Sequence, residues 1–406
     1  MSRPLNKSPA KPGMNGLVLT AGGARGAYQA GVLKRIGEVP GLRDKPSPFP
    51  IIAGASAGAI NGAAIATFSD HFGEATERLA KLWSQLKITD VVRTDTRALV
   101  GNVARIGADF AFGGVTGAGR TQSLLDASPL LKLLTRSLPA NGISEAIAKG
   151  HVYALAITAT GYHSGRAFTF IEGREGHPVW QKSRRVALPA RITPRHVCAS
   201  AAIPIVFQPV PLAAAGVTAY FGDGAMRLTT PLSPAIRLGA DKLFAIGIRS
   251  QAAAGDLLRA EMAPASEGET LRRPPLSQIC GVFLNAIFLD HLDADLEHLT
   301  RMNELVAAYL SVSHHAAPVE VSEPMRIVHP LSVAPSEDLA VVAKTLAHRM
   351  PRTIRYAMDG LGTPDAQSAD LLSYLLFDSA FTRELIAIGY RDANARIDEI
   401  EAFLRA

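Results

Sequence analysis

The sequence is short of several things, and each shortage excludes a class of protein. Only two of its 406 residues are cysteine, Cys198 and Cys280, both among apolar neighbours, so neither a disulfide scaffold nor a cysteine metal cluster is indicated. Aromatic residues make up 6% of the chain and are scarce among the basic ones, and no nucleic-acid-binding motif is present, so nucleic acid is not expected as a partner. There is no run of the ~20 strongly apolar residues that a spanning helix needs. The uncharged stretch 46–69 is mostly Gly and Ala and contains Ser56 and Asn61, so it is not read as a span. The first 13 residues are Pro-, Lys- and Ser-rich without an apolar segment, which gives no sign of a secretory leader and makes a cytoplasmic location the expectation. No internal repeat is visible.

Acidic residues are absent from two stretches. None precedes Glu38, whereas Arg3, Lys7, Lys11, Arg25, Lys34 and Arg35 do, and a second acid-free stretch carries Lys182, Arg184, Arg185, Arg191 and Arg195. With a net charge of +6, these stretches suggest peripheral contact with an anionic membrane surface, here the inner face, the alternative being ordinary solvated faces.

What is present is the composition of a globular protein, 48% apolar and 19% charged, long enough for a large α/β domain with further elements. Gly16–Thr20 reads as a buried strand, followed by a glycine-rich turn and a helix from Ala27 to about Ile36. Ile51–Ala53 reads as a second strand, running into a tight turn and an Ala-rich helix to about Phe68. Two strand–turn–helix units in succession predict a parallel sheet with helices on both faces. Further strands are expected at 152–160, 167–171, 217–221, 242–248 and 325–329. Helices are expected at 71–86, from Ser128 (as cap residue) and Pro129, and at 194–202, 234–238, 276–310 and 337–358, with two or three in the tail from Gln367. A loop is read at 113–117. The expected organisation is a basic disordered tail over 1–14, a catalytic domain over 15–250, a linker over 251–275, and a mostly helical region over 276–406 that packs on the core. A membrane-facing or oligomer-forming surface is the alternative use of that last region.

Three stretches carry chemistry. In Gly54-Ala55-Ser56-Ala57-Gly58 a serine stands at the apex of a strand-to-helix turn, where the backbone is strained and only small neighbours fit. The helix beginning at Ala57 aims free N–H groups at that serine, so Ser56 reads as a nucleophile; a plain Gly-rich turn is the alternative. Upstream, Ala21-Gly22-Gly23-Ala24-Arg25-Gly26 leaves consecutive backbone N–H groups uncovered for an anion. It lacks the first glycine of a dinucleotide fingerprint and the Gly-Lys-Ser/Thr of a phosphate loop, which leaves an oxyanion hole as the use that also accounts for the nearby serine. Arg25 either orients this loop or is an exposed helix charge. A serine needs a proton acceptor. None of the eleven histidines lies in a recognisable turn after a strand, whereas Asp223 ends an apolar strand between Gly222 and Gly224, the alternative there being an ordinary Asp-Gly turn.

In order and spacing, Leu17–Leu33, Gly54–Gly58 and Asp223-Gly224-Ala225 resemble the three blocks of patatin-like phospholipases. Leu125–Leu130 and Ala199–Pro204 with Phe207 and Pro209 extend the likeness over roughly 16–240. The resemblance implies an α/β three-layer sandwich with a mainly parallel central sheet and C-terminal helices. It implies a Ser56–Asp223 dyad hydrolysing phospholipid or lysophospholipid through an acyl-enzyme, without metal, cofactor or histidine. Gly22, Gly23, Ala24 and Arg25 would form the oxyanion hole, with Gly26, Gly54, Gly58, Gly224 and Ala225 as motif positions. The chain departs from the family at Ala21, usually glycine, where a methyl is tolerated only if φ is negative. Two rival functions are a histidine-dependent serine esterase and a non-catalytic lipid- or protein-binding module on the same fold. Oligomeric state is not legible.

Overall fold

The computed structural model describes residues 13–93, 123, 125–214, 216–250, 291–312, 325–351 and 366–405. Among the described residues nine strands form one sheet: β1 (Asn15–Leu19), β2 (Ile51–Ala55), β3 (Ala154–Gly161), β4 (Arg166–Gly173), β5 (Arg185–Pro189), β6 (Val210–Ala214), β7 (Val217–Gly222), β8 (Lys242–Ile246) and β9 (His329–Val333). The main order is β5-β4-β3-β2-β1-β8-β9, with β7 paired to β3 and β6 to β7. From β3 through β2, β1 and β8 to β9 all neighbours are parallel, and so are β4 and β5; β3–β4, β3–β7 and β6–β7 are antiparallel.

The central strands are mostly apolar because both faces of the sheet are covered. Successive residues point to opposite sides. Leu17, Leu19 and Ile52 join the larger apolar cluster, while Val18, Ile51 and Ala53 join the second. On the first side lie α1 (Gly26–Gly37), α3 (Ala57–Thr67) and α4 (Phe72–Ser84), with the short α2 (Pro40–Arg43) following α1 in the chain. Next in sequence come α5 (Ile88–Val91), α6 (Ser128–Ser137), α7 (Gly142–Ala148) and α8 (Pro194–Ser200). The second side is covered by α9 (Ser233–Leu238) and α10 (Leu292–Val312) through Leu232, Ala235, Leu238, Leu292 and Leu299. The chain closes with α11 (Leu339–Thr345), α12 (Ala366–Leu375), α13 (Ser379–Ala395) and α14 (Ile397–Arg405). Helix α13 lies directly on α1. A Cβ at Gly31 would overlap the Ile386 carbonyl and one at Gly389 the Tyr28 carbonyl, so glycine on each helix lets the backbones meet. Tyr28 Oη donates to Asp392 Oδ2 across the same contact at 3.0 Å.

Three strands depart from expectation, and all three contain proline. β5 and β6 were not anticipated, and the strand expected at 325–329 begins only at His329. Pro189, Pro211 and Pro330 weaken a strand pattern, but each sits on an edge strand, where one side of the backbone needs no ladder partner. Helix α6 is capped one residue earlier than expected: Ala127 is the cap, and the Asp126 carboxylate accepts from Ser128 N–H at 2.8 Å. The helix expected over 337–358 is α11 followed by a 3-10 turn at Ala347–Arg349, with 352–358 outside the described residues. The basic tail over 1–12, the loop at 113–117, the linker and residues 276–290 also lie outside the described residues. Among the described residues no helix is long and apolar enough to cross a membrane.

Candidate active site

Ser56 joins β2 to α3 with φ 53° and ψ −121°, and Ile205 is the only other described non-glycine residue with positive φ. Such a backbone costs ~1–3 kcal/mol and persists only where its surroundings over-determine it. Here Ser56 N–H donates to Ser200 Oγ at 2.9 Å, and Ser200 Oγ in turn donates to the Thr158 carbonyl of β3 at 2.6 Å. The Ser56 carbonyl accepts from Ala59 N–H at 2.9 Å and starts α3. The flanking glycines are required by proximity: a Cβ on Gly54 would overlap the Gly58 carbonyl, and one on Gly58 the Leu19 carbonyl of β1.

Asp223 follows β7, the strand that pairs with the end of β3. Its N–H donates to the Ala202 carbonyl at 2.9 Å and its carbonyl accepts from Thr160 Oγ1 at 2.8 Å, so the backbone is held on both sides. The carboxylate is fully buried. Oδ1 accepts from Ala225 N–H at 2.9 Å, and Oδ2 accepts from Ser56 Oγ at 2.6 Å. Gly224 lets the Thr158 carbonyl approach, where a side chain would overlap it. Burial lifts the Asp223 carboxyl to about 6, opposed by the hydrogen bonds from Ser56 and Ala225.

The glycine-rich loop lies beyond the end of β1. Gly23 has φ 53°, and Gly23–Arg25 form a 3-10 turn closed by Arg25 N–H to the Gly22 carbonyl at 3.0 Å. Ala21 is not among the residues with positive φ, so its methyl causes no backbone strain. Arg25 is not an exposed helix charge: it is 2% exposed, and its Nε donates to Ser373 Oγ at 2.7 Å. Gly26 must be small because a Cβ would meet Ala57 and Trp83.

Behind the loop runs a buried polar chain that sequence reasoning did not single out. Gln29 Nε2 donates to the Thr20 carbonyl at 2.9 Å, and Asn61 Nδ2 donates to Gln29 Oε1 and to the Gly26 carbonyl, both at 2.9 Å. Trp83 Nε1 donates to Asn61 Oδ1 at 2.7 Å. Ser200, Thr158 and Thr160 were equally missed as supports. The available signal was a lone polar residue in apolar sequence, as with Asn61 between Ile60 and Gly62 and Ser200 between Ala199 and Ala201.

Gly23 and Ser56 open onto a pocket of about 510 Å³ of empty space, part of it continuous with solvent. Its walls are apolar: Ile60 of α3, Leu82 of α4, Leu130 and Leu134 of α6, then Phe207 and Phe377. No described histidine is hydrogen-bonded to Ser56 or Asp223. Half-buried His196 is pushed down to about 4 by partial burial and then by Arg195, and its Nδ1 lies 3.0 Å from Thr193 Oγ1. Among the described residues no three His, Cys, Asp or Glu side chains converge as a metal-binding group.

A model of the patatin-like phospholipase family matches residues 17–236, more than half of the chain, and the protein belongs to that family. Lipid hydrolysis is the activity class this membership defines. No curated protein sequence matches significantly. Among solved structures the chain is distantly similar to VipD from Legionella pneumophila, with 13% identity and a TM-score of 0.33 over 94% of this chain and 69% of that one. It is similar to the same degree to ExoU, solved with SpcU from the type III secretion system of Pseudomonas aeruginosa, with 15% identity and a TM-score of 0.26 over 90% of this chain and 75% of that one.

Proposed function

We propose that the protein hydrolyses acyl esters of phospholipids or lysophospholipids with Ser56 as nucleophile and Asp223 as general base. The observation that carries this reading is the 2.6 Å bond from Ser56 Oγ to the buried Asp223 carboxylate, made at the edge of an apolar pocket. Asp223 Oδ2 takes the hydroxyl proton as Ser56 Oγ bonds to the ester carbonyl carbon. The carbonyl oxygen becomes an oxyanion held by backbone N–H groups of Gly22, Gly23 and Ala24; the Arg25 N–H, expected to join them, instead donates to the Gly22 carbonyl. Collapse breaks the ester bond, the protonated Asp223 returns its proton to the leaving alcohol, and the acyl group stays on Ser56. Water then attacks the acyl carbonyl carbon as Asp223 takes its proton, the bond to Ser56 Oγ breaks, Oγ recovers that proton from Asp223, and the free fatty acid leaves.

An ordinary carboxylate with a pKa near 3.9 is a weak base for a hydroxyl. Lifting Asp223 to about 6 brings its basicity closer to neutral working pH. The apolar pocket suits an acyl chain, whose burial is worth ~0.8 kcal/mol per CH₂. The absence of a bonded histidine among the described residues favours this dyad over a histidine-dependent esterase.

A fluorophosphonate probe should label the wild type at Ser56, leave Ser56→Ala unlabelled, and lose its target with turnover. Asp223→Asn should keep the fold and lower kcat on the order of 10⁴-fold. Absence of labelling in correctly folded wild type would instead support a non-catalytic lipid-binding module, and near-full activity of Asp223→Asn would remove the dyad.

A further inference from the structure

We propose that the C-terminal helix α12 is part of the catalytic apparatus, because Ser373 and the Tyr374 carbonyl hold the glycine-rich loop in its oxyanion-binding shape. This rests on the reading of the loop given above. It assigns a task to a region outside the family match, which stops at residue 236.

The loop has little with which to define itself. Its 3-10 turn is three residues long and closed by few backbone bonds, and isolated turns of this kind are marginal. Two of its residues instead meet α12. Gly23, at φ 53°, sits so close to the Tyr374 carbonyl that a Cβ there would overlap the oxygen. Arg25 is buried, and a guanidinium out of water requires partners. Its Nε donates to Ser373 Oγ across 348 residues of sequence, and its guanidinium carbon lies 4.4 Å from the centre of the Tyr374 ring.

The wall that α12 offers is itself fixed. Ser373 and Tyr374 are fully buried, Phe377 just beyond them lines the pocket, and Thr382 Oγ1 of α13 donates to the Trp83 carbonyl at 2.7 Å. Helix α13 is in turn locked on α1, whose first turn continues the loop. The direction of the loop's N–H groups is therefore set from the far end of the chain. Donors that stabilise an oxyanion act by being aimed in advance, and a shift of about 1 Å can cost ~10²-fold in rate. Ser373 and Tyr374 are positioning residues: neither needs to touch the substrate.

The test is steady-state hydrolysis of p-nitrophenyl octanoate, counted per Ser56 labelled by a fluorophosphonate. It is paired with inhibition by an aliphatic trifluoromethyl ketone, which forms a tetrahedral oxyanion on the serine. Ser373→Ala should lower kcat about 10-fold or more with KM little changed, and weaken the ketone by the same factor. In an Arg25→Ala background the Ser373 change should have no further effect on kcat, since Ser373 acts through Arg25. Unchanged kcat per labelled site, an effect on KM alone, or additivity with Arg25→Ala would each overturn the proposal. If Ser373→Ala only reduces the amount of folded protein, labelled sites turn over at the wild-type rate, which also overturns it. A Ser56→Ala protein that still hydrolyses the ester would instead refute the site assignment.

Discussion

The two halves of the candidate site are held in opposite ways. Ser56 and Asp223 take their hydrogen-bond partners from within the family-matched range: Ser200, Ala59, Ile60, Ala202, Thr160, Ala225 and each other. The glycine-rich loop leans on Ser373 and Tyr374, beyond that range. The difference follows from what each half must do. A serine with positive φ stores strain and needs dense local bonding to keep it. A loop that must leave the N–H groups of Gly22, Gly23 and Ala24 open for an oxyanion cannot brace itself with them, so beyond the Arg25 N–H bond its shape comes from what packs behind it.

The largest break in that comparison is expected from Gly23→Ala. The new methyl meets both an unfavourable φ and the Tyr374 carbonyl, so the loop must move, and loss of an oxyanion donor costs roughly 2.7–4 kcal/mol of barrier, or about 10²–10³-fold in kcat. Wild-type kcat in Gly23→Ala would show that the loop is not under this constraint.

On the other half, Ser200→Ala removes the acceptor of Ser56 N–H and leaves a buried donor unsatisfied, at a cost of ~1–3 kcal/mol in stability. Because Asp223 and α3 still hold the serine, kcat should fall only about 10-fold, less than for Gly23→Ala. Chemical denaturation alongside kinetics measures both, and an equal or larger kcat loss than in Gly23→Ala would reverse the ranking.

A third measurement concerns the carboxylate alone. Asp223 acts as base only when ionised, so kcat/KM should rise as pH climbs through about 6 and level off above it. The folded state holds this proton to higher pH than the unfolded chain, so the ionised group subtracts from stability. That cost is absent below about pH 4 and complete above about pH 6, where a move from about 4 to about 6 is worth roughly 3 kcal/mol at most. Asp223→Asn should therefore melt higher than wild type at pH 8, with the gain vanishing toward pH 4. A gain independent of pH would contradict the buried-carboxylate account.

The smallest effect is expected at the surface. In the acid-free stretch Arg185 donates to Thr230 and Ser233, Arg191 to Asn141, and Arg195 to the Pro211 carbonyl, so part of its charge is already engaged in the fold. Binding to phosphatidylcholine vesicles containing phosphatidylserine should be weak and fall further with added salt, each cation near the surface contributing ~1 kcal/mol at best. Salt-insensitive binding would rule out electrostatic attraction as its basis.

The elbow, the loop and the aspartate were legible in the chain because each is a local device. Small residues, a strand before and a helix after are readable within ten residues. The buried Gln29–Asn61–Trp83 chain, Ser200 and Ser373 were not, because one polar side chain in apolar sequence has no partner until the chain folds. The edge strands β5, β6 and β9 were missed or shifted because proline masks a strand wherever one side of it needs no ladder partner.

The sequence by itself determined that a serine would stand at a strained turn in a parallel strand–turn–helix unit and that an aspartate would end a strand between glycines. Those outcomes follow from backbone sterics and hydrophobic periodicity, which act over a few residues. Only the tertiary structure decided that the two side chains lie 2.6 Å apart and that Asp223 is lifted to about 6. It alone decided that Arg25 is buried against a helix 348 residues away. Distance, desolvation and pairing are properties of groups brought together from remote parts of the chain, and no local pattern encodes them.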